Sequence, residues 1–167
     1  MPPPPRALHT GRPWVVSLQL HVRIIQFFAF VRDDFKARIA IIMEFLEGGS
    51  LVDKIANQGC LNETVSIIYL GQLLEGIEYL HKNETYHSDI KPANILFTRD
   101  SNIKLCDFGI SVHIHTESSA TSSHLKGDRL YMSPERLNED SRSAENDIWS
   151  VRATFVTMIS GVWTSLK

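Results

Sequence analysis

From about Ala144 to Ser160 runs a stretch that is apolar around nearly its whole circumference, through Ile148, Trp149, Val151, Phe155, Val156, Met158 and Ile159. Ser143 stands where a cap accepts from the first turn, Glu145 suits the positive end of a helix, and Gly161 suits a left-handed stop. A helix that is apolar all round has to be wrapped by other elements. This one ends a few residues before Lys167, so the chain reads as part of a larger fold. Arg152 is the exception within the helix. An unpaired guanidinium is costly to bury, so its side chain is expected to reach outward or to disturb the helix.

What can wrap this helix is limited. A second helix is expected from Asn62 or Thr64 to Lys82, with Leu70, Leu73, Leu74, Ile77 and Leu80 on one stripe, His81 and Lys82 at its C-terminal end, and Asn83 as the stop. Leu51 to Ala56 reads as a shorter helix after Gly48 and Gly49. Ile24–Val31 and Arg38–Leu46 are apolar runs joined by a charged turn at Arg32, Asp33, Asp34 and Lys36, the pattern of a hairpin. A lone hairpin is marginal in water and leaves a sticky edge. Residues 1–21, with four consecutive prolines and Pro13, cannot form regular hydrogen-bonded structure and read as a disordered tail.

Composition narrows the function. Among 167 residues, 17 Lys and Arg face 19 Asp and Glu. That balance lacks the basic face that nucleic acid or anionic lipid requires. Cys60 and Cys106 cannot make a disulfide framework, which suits a reducing compartment. The run at Ile39–Met43 is too short to cross a bilayer, and no sustained apolar stretch follows Arg6 as in a signal peptide. A cytoplasmic protein with no membrane span and no nucleic-acid partner is expected.

The chemistry lies between the two long helices. His87-Ser88-Asp89-Ile90-Lys91-Pro92-Ala93-Asn94 is a polar loop with a carboxylate, an ammonium and an amide, and the strand-like Ile103–Cys106 ends in the carboxylate of Asp107. Such a set suits a metal–phosphate site, because magnesium takes one or two oxygen side chains together with the substrate's phosphates. Asn94 and Asp107 supply such oxygens, Lys91 offsets phosphoryl charge, and Asp89 is placed to accept a hydroxyl proton.

His87-x-Asp89-x-Lys91-x-x-Asn94, Asp107-Phe108-Gly109 and Ser133-Pro134-Glu135 together resemble the catalytic loop, metal-binding triplet and activation-segment end of eukaryotic protein kinases. Met43–Leu51, Tyr79-Leu80-His81, Tyr131–Leu137 and Asp147–Ser150 extend the resemblance from about Val22 to Gly161. It is strongest to serine/threonine kinases of mitogen-activated cascades, the kinase-kinase-kinases above all. The resemblance implies an α/β two-lobed fold: residues 22–47 as a small-lobe remnant with the hinge, and 48–167 as a truncated helical large lobe. It implies ATP and Mg2+, with Asp89 and Lys91 catalytic, Asn94 and Asp107 on the metal, and Glu44, Leu46, Lys91, Asn94, Leu96 and Asp107 on the nucleotide. Asp147 would tie down the catalytic loop's backbone. The implied partner is a protein substrate, another kinase of the cascade.

The departures carry equal weight. No Gly-rich loop and no Val-Ala-Ile-Lys strand precede Val22. Losing one preorganised donor costs on the order of 10² to 10³ in rate, so this chain by itself is expected to be weakly active or inactive. The competing expectation is a non-catalytic, pseudokinase-like fragment that binds another kinase or a scaffold. Ser88 stands in place of the family's arginine, and a hydroxyl cannot replace a guanidinium fork on an activation-segment phosphate. Thr116, Ser118, Ser119, Thr121, Ser122 and Ser123 are candidate phosphoacceptors, and Asp128 replaces the family's threonine.

Overall fold

The computed structural model describes residues 21–33, 38–107, 112–113, 129–139 and 142–161. The proline-rich segment up to residue 20, the centre of the charged turn at 34–37, Phe108 and Gly109, the hydroxyl-rich stretch with its candidate phosphoacceptors, and Asp128 lie outside the described residues.

The chain opens with a hairpin, β1 (Phe27–Asp33) and β2 (Arg38–Met43), paired antiparallel from Phe27↔Met43 to Asp33↔Arg38 with an irregularity between Phe27 and Ala29. The apolar run expected to be one strand from Ile24 splits here. Ile24 and Ile25 are buried and leave the hairpin: the Ile25 amide donates to the Leu105 carbonyl at 2.9 Å, and the Leu105 amide to the Arg23 carbonyl at 2.8 Å. Continuous apolarity marks burial and not strand length, so the run serves two neighbours.

Helix α1 (Leu51–Gln58) follows a capping box in which Ser50 accepts from the Asp53 amide and Asp53 accepts from the Ser50 amide. Ahead of it the Gly48 amide donates to the Phe97 carbonyl, and the Phe97 amide to the Gly49 carbonyl. A Cβ on Gly48 would lie 2.5 Å from the Phe97 Cβ, so only glycine permits this approach.

Helix α2 (Glu63–Lys82) starts at Asn62, whose side chain accepts from the Thr64 amide. Its buried face is Ser66, Tyr69, Leu73, Gly76, Ile77 and Leu80. Leu74, placed on the core stripe by periodicity, is instead exposed. The helix has apolar residues on more than one side, and its neighbours decide which side is covered. Three short strand pieces follow: β3 (Thr85–Tyr86), β4 (Ile95–Phe97) after a 3-10 turn at Pro92–Asn94, and β5 (Ile103–Leu105). β4 pairs antiparallel with β5, and β3 with β6 (Val112–His113).

A 3-10 turn at Arg129–Tyr131 leads to α3 (Pro134–Glu139) and then α4 (Ala144–Ser160). Ser143 caps α4 by accepting from the Asn146 amide, and Gly161 closes it at φ +70°. Val151 and Met158 of α4 are buried with Leu73, Ile77 and Leu80 of α2, Leu51 and Ile55 of α1, and Ile95, Phe97, Ile103 and Leu105 of β4–β5 in one core. Ile148, Trp149, Arg152 and Ile159 lie on the exposed side of α4, so the arginine turns outward as expected.

Candidate active site

The polar loop runs from β3 to the turn before β4, over the N-terminal end of α4. Asp147, in the first turn of that helix, is almost wholly buried and accepts three hydrogen bonds. The amides of His87 and Ser88 and the ring Nε2 of His81 all approach its carboxylate at 2.9 Å. A buried carboxylate is tolerated only when its lone pairs are filled in this way. The expected tie between Asp147 and the loop is present. His81, read in the sequence as a helix end and as part of the resemblance, joins it.

His87 is fully buried. The Asp89 amide donates to its Nδ1 at 3.3 Å, and its Nε2 lies 3.1 Å from the Cys106 carbonyl, an arrangement that assigns the proton of the neutral ring to Nε2. Burial lowers its pKa below 6.5, against the opposing charges of Asp147, Asp89 and Asp107 and the bond to Cys106. The start of the loop is thus pinned both to α4 and to Cys106, the residue that follows β5.

Asp89, Lys91 and Asn94 meet on one carboxylate oxygen. The Lys91 ammonium lies 2.8 Å from Asp89 Oδ2, and the Asn94 amide Nδ2 donates to the same oxygen at 2.8 Å and to the Asp89 carbonyl at 2.7 Å. The Asn94 carbonyl accepts from the Cys106 amide at 3.0 Å, joining the loop to the strand end that carries Asp107. Burial pushes the Cys106 thiol up to about 12, aided by the charges of Asp107 and Asp89 and opposed by Lys91. Asp107 is exposed and has φ +63°, a conformation that non-glycine residues rarely adopt.

The segment expected to be the hinge lies where β2 ends. The Glu44 amide donates to the Gln26 carbonyl at 2.8 Å, and Glu44 Oε1 accepts from the Gln26 amide at 2.6 Å and from the Lys104 ammonium at 2.5 Å. Leu46 is half-buried, and so is Leu96, which pairs with Lys104 across β4–β5.

A divalent cation fits this donor set. Asn94 turns its NH2 group toward Asp89, which directs Oδ1 away from that carboxylate, and Asp107 is open to solvent. Among the described residues no cluster of three or more His, Cys, Asp or Glu could hold an ion by itself. Such a sparse set matches magnesium, which relies on the substrate's phosphates.

Two further features were not legible in the motifs. Arg136 of α3 is buried, and its Nη1 donates to the Ser88 carbonyl. Glu135 and Arg152, with Trp149, line an open trough of about 670 Å3 on the outer side of α4.

The family model for the protein kinase domain matches residues 14–165. The chain is 41% identical over 126 residues to a probable serine/threonine-protein kinase of Dictyostelium discoideum, covering 75% of this chain and 25% of that protein. It is 38% identical over 142 residues to mitogen-activated protein kinase kinase kinase 3 of Homo sapiens, covering 84% and 23%. With mitogen-activated protein kinase kinase kinase 2 of Arabidopsis thaliana it shares 39% over 144 residues, covering 84% and 22%. The chain spans about a quarter of the length of these curated relatives. Its mixed α/β architecture, its buried Asp147 under a His-x-Asp-x-Lys-x-x-Asn loop and these matches agree: the chain belongs to the protein kinase family, in the serine/threonine group that includes the mitogen-activated kinase kinase kinases.

Proposed function

We propose that this chain carries the phosphoryl-transfer half of an ATP- and magnesium-dependent serine/threonine kinase site, acting in the cytoplasm on another kinase of a mitogen-activated cascade. The supporting observation is that Asp89, Lys91 and Asn94 are joined through one oxygen of Asp89 on a backbone fixed from below by buried Asp147. Among the described residues nothing hydrogen-bonds Asp89 Oδ1, which leaves it to accept a proton.

In this reading a serine or threonine hydroxyl of the substrate gives its proton to Asp89, and its oxygen bonds to the γ-phosphorus. The bond between that phosphorus and the β-phosphate oxygen breaks, and ADP leaves. Lys91 offsets the charge on the transferred group while holding Asp89 in place. Asn94 and Asp107 hold magnesium, which when bound neutralises charge on the phosphate oxygens. Glu44 and Leu46 offer backbone groups to adenine, and Leu96 lies beneath the ring. Residues 22–47 form the nucleotide's upper support and 48–167 the catalytic body. Among the described residues no helix is long and apolar enough to cross a membrane.

Thermal unfolding with and without Mg·ATP tests this, because a ligand that binds the folded state must stabilise it. The expected result is a rise in Tm for this chain and none for Asp107→Asn. A flat response in both rejects the nucleotide site and favours a non-catalytic fragment that binds another kinase or a scaffold.

A further inference from the structure

Ser88 has φ +65°, a left-handed conformation that costs a non-glycine residue roughly 1 kcal/mol. Its own side chain does not hold it there, since the buried Ser88 hydroxyl has no hydrogen-bond partner. The conformation is imposed from outside, on both flanking peptides. The Ser88 amide donates to Asp147 Oδ1 at 2.9 Å, and the Ser88 carbonyl accepts from Arg136 Nη1. That carbonyl shares a peptide plane with the Asp89 amide, which donates to His87 Nδ1. Arg136 therefore grips the oxygen of the peptide whose other end carries Asp89.

The grip is well supported. The Arg136 amide donates to Ser133 Oγ at 3.2 Å, and the Ser133 hydroxyl donates to Asn146 Oδ1 at 2.6 Å. Asn146 stands next to Asp147 in the first turn of α4, so a single helix end carries the carboxylate jaw directly and, through Ser133, holds the backbone of the residue that supplies the other. A buried guanidinium is costly unless its donors are used; here Nη1 is used on the strained Ser88 peptide beside the Asp89 carboxylate, while Nε makes no hydrogen bond among the described residues.

We propose that Arg136 is a positioning residue. By clamping the Ser88–Asp89 peptide it fixes the direction of the Asp89 carboxylate, and so couples the end of the activation segment to the catalytic loop. The link to catalysis rests on the role proposed for Asp89, whereas the clamp itself does not.

The experiment is amide hydrogen exchange by NMR on the full chain, without nucleotide, together with the carbonyl 13C shift of Ser88. In Arg136→Met the Asp89 amide should exchange about tenfold faster, as expected for one lost charge-assisted hydrogen bond. The Ser88 carbonyl should move upfield, while the Phe97 and Leu105 amides keep their rates. Adding Ser88→Gly should restore most of the protection, because glycine adopts φ +65° without a clamp. Unchanged exchange at Asp89 in Arg136→Met, or no rescue by Ser88→Gly, overturns the proposal. If Arg136→Met does not fold, Arg136→Lys takes its place. A single ammonium should give exchange a few-fold faster at Asp89 and unchanged at Phe97, and wild-type exchange at Asp89 in that variant is the overturning result. In a nucleotide-binding preparation, Arg136→Lys should lower kcat with KM for Mg·ATP unchanged. Should the chain bind no nucleotide, the exchange data still decide the matter.

Discussion

The hairpin β1–β2 and the body around α2 and α4 are built from similarly apolar sequence, yet they are covered very differently. Leu73, Leu80 and Met158 are 0% exposed, whereas Ile41 is 53% and Phe45, just beyond β2, 87% exposed. Each fully buried large side chain of the body contributes roughly 1.5–3 kcal/mol, and the described hairpin side chains gain much less. Phe28, Ile42 and Met43 are open as well. The hairpin is tied to the body by Ile24, Ile25 and the polar bonds around Glu44. The site divides along the same line. Asp89, Lys91 and Asn94 rest on the well-packed body, and the proposed hinge hangs from the sparsely packed hairpin. Preorganisation is thus strong for the group that would take the proton and weak for the groups that would hold adenine.

The sharpest test of this division is Asp147→Asn. Removing the charge sets an NH2 group against two backbone amides and a ring nitrogen in a buried place. The expected loss is about 4 kcal/mol of unfolding free energy, read by urea denaturation followed through the helical circular dichroism. A loss under 1 kcal/mol would mean that the catalytic loop is not held from α4. Leu73→Ala should cost about 3 kcal/mol for its lost burial and cavity, while Ile41→Ala on the hairpin should cost under about 0.5 kcal/mol. Equal costs for the two would erase the contrast.

How legible this arrangement was depended on distance along the chain. Asp89, Lys91 and Asn94 lie within six residues, so spacing alone brought them together, and Asn62, Ser143 and Gly161 bound their helices as expected because caps act locally. What failed were judgements that need a neighbour. Leu74 and Tyr69 both suit a core helix, and only the packing of β4–β5 and α4 selects Tyr69. Ile24 and Ile25 looked like hairpin because nothing local reveals the bond from the Ile25 amide to Leu105, 80 residues away. Arg136 was hidden for the same reason: its carbonyl partner precedes it by 48 residues.

Acid should loosen the body in preference to the hairpin. Burial holds the His87 pKa below the 6.5 of an exposed ring. The unfolded chain therefore binds a proton at pH values where the folded chain does not. This contribution to stability is complete above pH 6.5 and is lost as pH falls from 6.5 toward the folded pKa. Urea midpoints measured from pH 7.5 to 5.5 should fall below 6.5, and His87→Gln should flatten that part of the curve. A wild-type profile with no decline below 6.5 would count against a neutral, buried ring.

The smallest expected effect asks whether the hairpin is a separate unit. Lys104 alternates with buried Ile103 and Leu105 on β5, and its ammonium meets Glu44 Oε1, the oxygen that also accepts the Gln26 amide. Both side chains keep less than a quarter of their exposure, so the pair lies between a solvated and a buried bridge. Lys104→Met retains the aliphatic stem along β4 and removes only the charge. Global stability should fall by about 0.5–1 kcal/mol. The more telling readout is amide exchange, which should rise a few-fold at Gln26 and Glu44 and stay unchanged at His87 and Phe97. If exchange rises equally at all four, the hairpin and the body open together, and the weakness assigned to the hinge belongs to the whole molecule.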